Sequence, residues 1–239
     1  FNKTWYEIVD DFEKIDLDTS VEKPKVGIVG EILIKYHPFG NNDVANLLEK
    51  EGAEVVLPDF LGFIKFIASN KVITNQMMKN DNKKAMLFKA AIKLIDLFER
   101  DTRKALAKSK KGYLPTCNIW HLADNVEKVL STGNTTGEGW YLTAEMLEFI
   151  EHGVSNILCV QPFACLPNHV VGKGVIKRVK ELYPLANISA IDYDPGASEA
   201  NQINRIKLML SIANANLEKQ KEQEEKEKNT SADKQTANV

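Results

Sequence analysis

Residues 157–175, ILCVQPFACLPNHVVGKGV, constrain the fold more than any other stretch. Ile157, Leu158, Cys159 and Val160 form a short unbroken apolar run, the pattern of a strand buried on both faces. Pro162 and Pro167 break the chain that follows, and a helix is predicted from near Val170. Strand, loop and helix in this order are the opening of a βαβ unit. In a parallel sheet such a loop lies at the carboxyl edge, where ligands are bound. Cys165 lies in that loop. A helix start just downstream is expected to lower its pKa and favour the thiolate.

Three further runs repeat the pattern: VGIVG at 26–30, EVVL at 54–57 and NISAI at 187–191. Glu31 ends the first, followed by a predicted loop with His37, Pro38, Gly40 and Asn41. Asn41 or Asn42 is the expected N-cap of a helix to Lys50, with Val44, Leu47 and Leu48 on one face and Gly52 beyond its end. Segments 60–78, 81–107 and 120–130 read as helices, the second with a stripe of Leu87, Ala91, Leu94, Ile95 and Phe98. They predict a helical insertion at about 60–130. Thr143 is expected to cap a helix over 144–152, with Glu145 in its first turn. A helix over 170–183 stops at Pro184, and Asp194 with Pro195 reads as the N-cap and first residue of the last helix. Residues 3–14 place Trp5, Ile8, Val9 and Phe12 at helical spacing.

These elements predict an α/β fold: a mostly parallel sheet of at least four strands, with flavodoxin- or Rossmann-like winding. The expected organisation is an N-terminal helix and linker over 1–23, an α/β domain over 24–216, and a charged tail over 217–239. The tail has no apolar face, which predicts disorder at its end.

Composition narrows the partners. The chain has 239 residues, a net charge of −2 and a pI of about 6.2. That balance points away from nucleic acid and from an anionic membrane. The apolar runs are too short and interrupted for a membrane-spanning helix. The acidic, amphipathic start FNKTWYEIVDDFEK is unlike a signal peptide. Three cysteines without framework spacing fit reduced thiols and a cytoplasmic location. The chain opens on Phe1 without a methionine and is read as a fragment of a longer protein.

Three strand-end loops carry polar groups: Glu31, His37 and Asn41; Cys165, Asn168, His169 and Lys173; Asp192, Asp194 and Ser198. If strands 26–30, 156–160 and 187–191 are parallel neighbours, all three crowd one edge. The functional reading is a site in that crevice; the bland reading is that such loops are polar because they cap helices. Cys165 has three open roles: metal ligand, nucleophile or idle thiol. Cys159 is mid-strand, and Cys117 sits in a distant loop. Both are expected to be idle. His121 and His152 are helix-borne and expected to face solvent. VGIVGE lacks the third glycine of a dinucleotide fingerprint, and neither a phosphate-loop lysine nor a G-x-S-x-G elbow is present.

Four stretches carry a family resemblance: QPFACLPNHVVGKG (161–174), DYDPGASEANQINRIKLML (192–210), GEGWYLTAEM (137–146) and VGIVGEILIKYHPFGNNDV (26–44). Across roughly residues 24–212 the chain resembles the C-terminal region of large proteins related to 2-hydroxyacyl-CoA dehydratase activators. Such proteins resemble a fusion of ATP-hydrolysing activase domains with an iron–sulfur dehydratase component. The resemblance implies a 4Fe-4S cluster held by three cysteines from separate loops, the third in a Q-x-F-C-like stretch. Gln161, Phe163 and Cys165 match that stretch, with Ala164 inserted. It implies Cys165 as a cluster ligand, with Glu31, Asn168 and His169 lining the cavity. It also implies an acyl-CoA-type substrate, low-potential electron transfer, and upstream activase and cluster domains as partners. The other two ligands are expected upstream of Phe1, because neither Cys117 nor Cys159 sits where the pattern would put them. The expected function is one wall, and one cysteine ligand, of a redox site. The alternatives are a non-catalytic docking domain and a small-anion-binding module using helix N-termini.

Overall fold

The computed structural model describes residues 2–78 and 82–236. Four strands, β1 (Lys25–Gly30), β2 (Glu54–Val56), β3 (Asn156–Pro162) and β4 (Asn187–Tyr193), form one sheet in the order β2-β1-β3-β4. Every pairing is parallel, with Gly27 opposite Val56 on one side and Ile157 on the other. The expected α/β fold with flavodoxin-like winding is the one observed.

Alternation along the strands divides the core in two. Val26, Ile28, Leu158, Val160, Ile191 and Tyr193 face α3 (Val44–Lys50) and α9 (Glu199–Thr236). Val29, Ile157, Cys159, Ile188 and Ala190 face α7 (Gly139–Glu151) and α8 (Ile176–Leu182). Strands buried on both faces explain the unbroken apolar runs. Gly27 matters to this packing because the Phe149 ring of α7 lies directly over it. A Cβ there would fall 2.3 Å from Phe149 Cδ2.

The insertion consists of α4 (Phe60–Met78), α5 (Asn82–Leu106) and α6 (Ile119–Val126). It covers the side of α7 turned away from the sheet: Phe66, Ile73, Ile92, Ile119, Leu122 and Val126 share one core with Trp140, Met146 and Leu147. The Phe66 and Tyr141 rings stack at 5.0 Å. Helix α1 (Asn2–Glu13) packs beside α5, where Phe12 meets Tyr113 edge-on and Ser109 donates to Glu13. The predicted start of α5 at Asp81 lies outside the described residues.

Several local expectations are corrected. The loop after Glu31 contains a short helix, α2 (Ile32–Tyr36), because the Glu31 carboxylate caps it by accepting from Ile34 N–H at 2.8 Å. Asp43, not Asn41 or Asn42, occupies the N-cap of α3, although Asn41 Oδ1 still accepts from Val44 N–H at 3.2 Å. Thr143 caps nothing. It lies inside α7, buried, with its hydroxyl donating to Val171 O at 2.6 Å. Glu145 is therefore mid-helix rather than in a first turn. The helix after β3 begins at Leu166, not Val170, and widens into a π-helical turn at Asn168–Lys173. Asp194 and Pro195 form a turn before α9, which starts four residues beyond Pro195 at Glu199. Helix α9 continues through the charged segment to Thr236, in keeping with the helix propensity of Glu, Lys and Gln. Residues 237–239 lie outside the described residues. Among those described, no helix is long and apolar enough to cross a membrane.

Candidate functional site

The chain leaves β1 toward β2 on one side and reaches β4 from β3 on the other. The sheet's topological switch point therefore lies between β1 and β3, and their carboxyl ends open a crevice there. Gly30 turns the chain out of β1 at φ +138°, and a Cβ at that position would strike Val160 O. The turn lets Glu31 N–H donate to Val160 O at 3.0 Å.

Three loops build the crevice. Asn168 is fully buried; with its amide oriented to satisfy both ends, it accepts from Glu31 N–H and donates to Glu138 Oε2, each at 3.2 Å. The other Glu138 oxygen accepts from Ile32 N–H at 3.2 Å. One turn deeper, Lys35 Nζ contacts both oxygens of Glu145 at 2.7 and 2.9 Å, and both side chains are 1% exposed. Burial pushes the Glu145 carboxyl up to about 7, with the Lys35 ammonium pulling against it. On the β4 side, Lys173 grips both oxygens of Asp192 at 2.8 and 2.9 Å, and Gln161 Nε2 donates to one of them at 2.8 Å. Those partners hold the Asp192 carboxyl below its ordinary value against its partial burial.

Cys165 stands at the mouth, half-buried, just before the first helical residue, and its carbonyl accepts from His169 N–H at 3.0 Å. The expected thiolate is not favoured. Partial burial raises the thiol, the Asn168 backbone N–H lowers it, and the Glu138 and Glu31 carboxylates raise it again. Here burial, helped by the two acids, outweighs the helix start. Ala164 holds the turn before it at φ +60°, a left-handed conformation that costs a side-chain-bearing residue about 1–2 kcal/mol.

The structure thus joins Glu31, Asn168 and Cys165 in one crevice, with His169 at its half-buried rim on the Asp192 side. It does not bring His37 or Asp194 in. His37 is exposed and accepts from Gly40 N–H, and Asp194 is spent on Gly196 N–H. His121 and His152 are exposed, as expected. Sequence reasoning missed Lys35, Glu138, Glu145 and Glu148. A signal for the three acids was available: Glu138, Tyr141, Glu145, Glu148 and His152 recur at intervals of three and four residues in an otherwise apolar helix.

The donor set does not make a cluster site by itself. Cys159 points into the α7-side core with its thiol pushed up by burial to about 12. Cys117 is also pushed up to about 12, by burial and by Glu148 beside it. Among the described residues no three His, Cys, Asp or Glu side chains converge to hold a metal ion. Cys165 fits as a single thiol donor at the edge. A three-thiolate cluster would need two more from elsewhere.

No family model, no curated protein and no solved structure matches this chain.

Proposed function

We propose that this chain supplies one wall, and the thiol Cys165, of a composite iron–sulfur site of the 2-hydroxyacyl-CoA dehydratase and activase type. The observation that supports the reading is the setting of Cys165. A strained turn at Ala164 presents it at the switch point, on a frame in which Asn168, Glu138, Lys35 and Glu145 are partnered with one another or with backbone. Phe163 and Leu166 flank it at 68% and 73% exposure. Such an apolar collar excludes water once another segment closes over it, and a dry surround tunes a cluster's potential. A bound iron would itself deprotonate the thiol against the pull of Glu31 and Glu138. Glu31, Asn168 and Glu138 then hold the wall in shape, and the substrate class is an acyl-CoA thioester.

The test is anaerobic iron–sulfur reconstitution of the full-length polypeptide, with and without Cys165→Ala, read by visible absorption and electron paramagnetic resonance. Loss or conversion of the cluster signal in the variant is the expected result. An unchanged signal, or none in either protein, overturns the proposal.

A second reading, a non-catalytic docking domain, is favoured by the insertion's outer surface. Phe60, Ile64 and Ile67 on α4, and Leu87, Leu94 and Phe98 on α5, are between 43% and 73% exposed. The anion-binding reading is weakened because Lys173, the cation beside the π-helical turn, already neutralises Asp192.

A further inference from the structure

We propose that the chain holds a second ligand site, apart from the switch-point crevice, in the cavity at the end of β2, and that it takes a small organic ammonium compound with an apolar body. The cavity has a volume of about 180 Å³ and lies between the end of β2, the start of α4, the loop before α6, and α7. Val56, Leu122 and Phe149 line it, and the half-exposed Leu57 and Leu114 stand at its mouth. Drug-sized ligands occupy about 300–1,000 Å³, so the occupant is small.

The polar groups in the cavity decide the ligand's charge. Asp59, Glu148 and the exposed His152 line it, and among the described residues no lysine or arginine does, so carboxylates outnumber the one imidazole. Lys65, which reaches the carbonyl of the cavity residue Cys117 at 3.3 Å, is committed to Glu99 Oε2 at 2.7 Å. Asp59 accepts the Leu61 and Gly62 N–H groups at 2.9 and 3.1 Å, and Glu148 accepts the weak Cys117 thiol, with the His152 and His121 imidazoles farther off. Burial accordingly raises the Glu148 carboxyl. An ammonium group compensates both carboxylates, whereas an anion would meet two like charges.

Tyr141 is the independent observation. The residue is 3% exposed, its ring is packed on Phe66, and its hydroxyl has no hydrogen-bond partner among the described residues. The hydroxyl sits against Gly62, where a Cβ would come within 2.3 Å of it. A buried phenol ordinarily finds a partner. Here the open side is the cavity, and a ligand N–H can donate to it.

The test is a titration of the whole chain with benzylammonium, followed by backbone amide NMR, with benzyl alcohol and benzoate as controls of similar shape. The expected result is saturable shifts centred on Gly62, Cys117, Tyr141 and Glu148, with benzyl alcohol binding at least about tenfold more weakly and benzoate not at all. Glu148→Gln should weaken benzylammonium by at least about tenfold, and Tyr141→Phe by about three- to tenfold. Absence of saturation, shifts centred elsewhere, or equal binding of the alcohol overturns the proposal. The ammonium–alcohol comparison uses the unaltered protein, so it decides the matter even if either variant folds poorly.

Discussion

Helices α7 and α9 pack on opposite faces of one sheet, and they are built on opposite principles. Helix α9 buries a single stripe, Ile206, Met209, Leu210 and Ala213, and leaves Leu208 65% exposed. Helix α7 has ten of its 13 residues buried, because the sheet covers one side and the insertion covers the other. Over residues 139–147 this enclosed helix has no wet side for charged groups. Glu145 is nevertheless 1% exposed and Glu138 7%, and each is partnered within the protein. Buried ion pairs are poor stabilisers, since an apolar replacement of similar volume commonly does as well or better. The α9 face shows what stability alone requires of this sheet. The α9 side buries the neutral amides Asn187 and Gln202, whereas the α7 side buries the charged Lys35, Glu138 and Glu145, and it is there that we propose the function lies.

The largest expected effect tests that contrast directly. Lys35→Met leaves the Glu145 carboxyl buried and unpaired and should cost about 3–5 kcal/mol in denaturant unfolding. Adding Glu145→Leu should recover most of the loss. On the α9 face, Ile206→Ala should cost about 2–5 kcal/mol through the cavity it leaves, with no comparable rescue from a second polar-to-apolar change. A Lys35→Met/Glu145→Leu double variant as unstable as the single one would erase the contrast. Next in size, Gly27→Ala drives a methyl group into Phe149 and should cost about 1–3 kcal/mol, with near-ultraviolet spectra reporting the displaced aromatic packing.

The pH dependence has a definite sign. The folded-state pKa of Glu145, about 7, lies above its ordinary 4.5, so the folded protein holds a proton that the unfolded chain has released. Its contribution to stability is greatest below pH 4.5 and is lost as pH rises toward about 7. Stability measured across that window should flatten in Glu145→Gln, and a slope identical to that of the unaltered protein would remove Glu145 as its source. The smallest effect is at the mouth of the crevice. Ala164→Gly relieves the left-handed turn and should stabilise the protein by up to about 1 kcal/mol, partly offset by a more flexible unfolded chain. Destabilisation instead would mean that the methyl group packs.

The sequence alone determined the sheet and the edge to examine. Short apolar runs mark strands buried on both faces, and helices between them require parallel neighbours, so the carboxyl ends and their polar loops must share an edge. Glu31, Cys165 and Asn168 were legible on that basis, because each follows directly from a strand end. Thr143, Glu145 and the charge state of Cys165 were not. A threonine before an apolar helix looks like a cap, and only the enclosure of α7 by the insertion shows that it is an interior residue bonded to a π-helical turn. Local pattern placed Cys165 beside a helix start. Burial first, and then acids that include Glu138, raise its thiol, and Glu138 reaches the Ile32 N–H from 106 positions away in the chain. Spacing along a chain fixes which face a residue occupies. The dielectric and the charges around it depend on what packs against that face, and only the tertiary structure decides that.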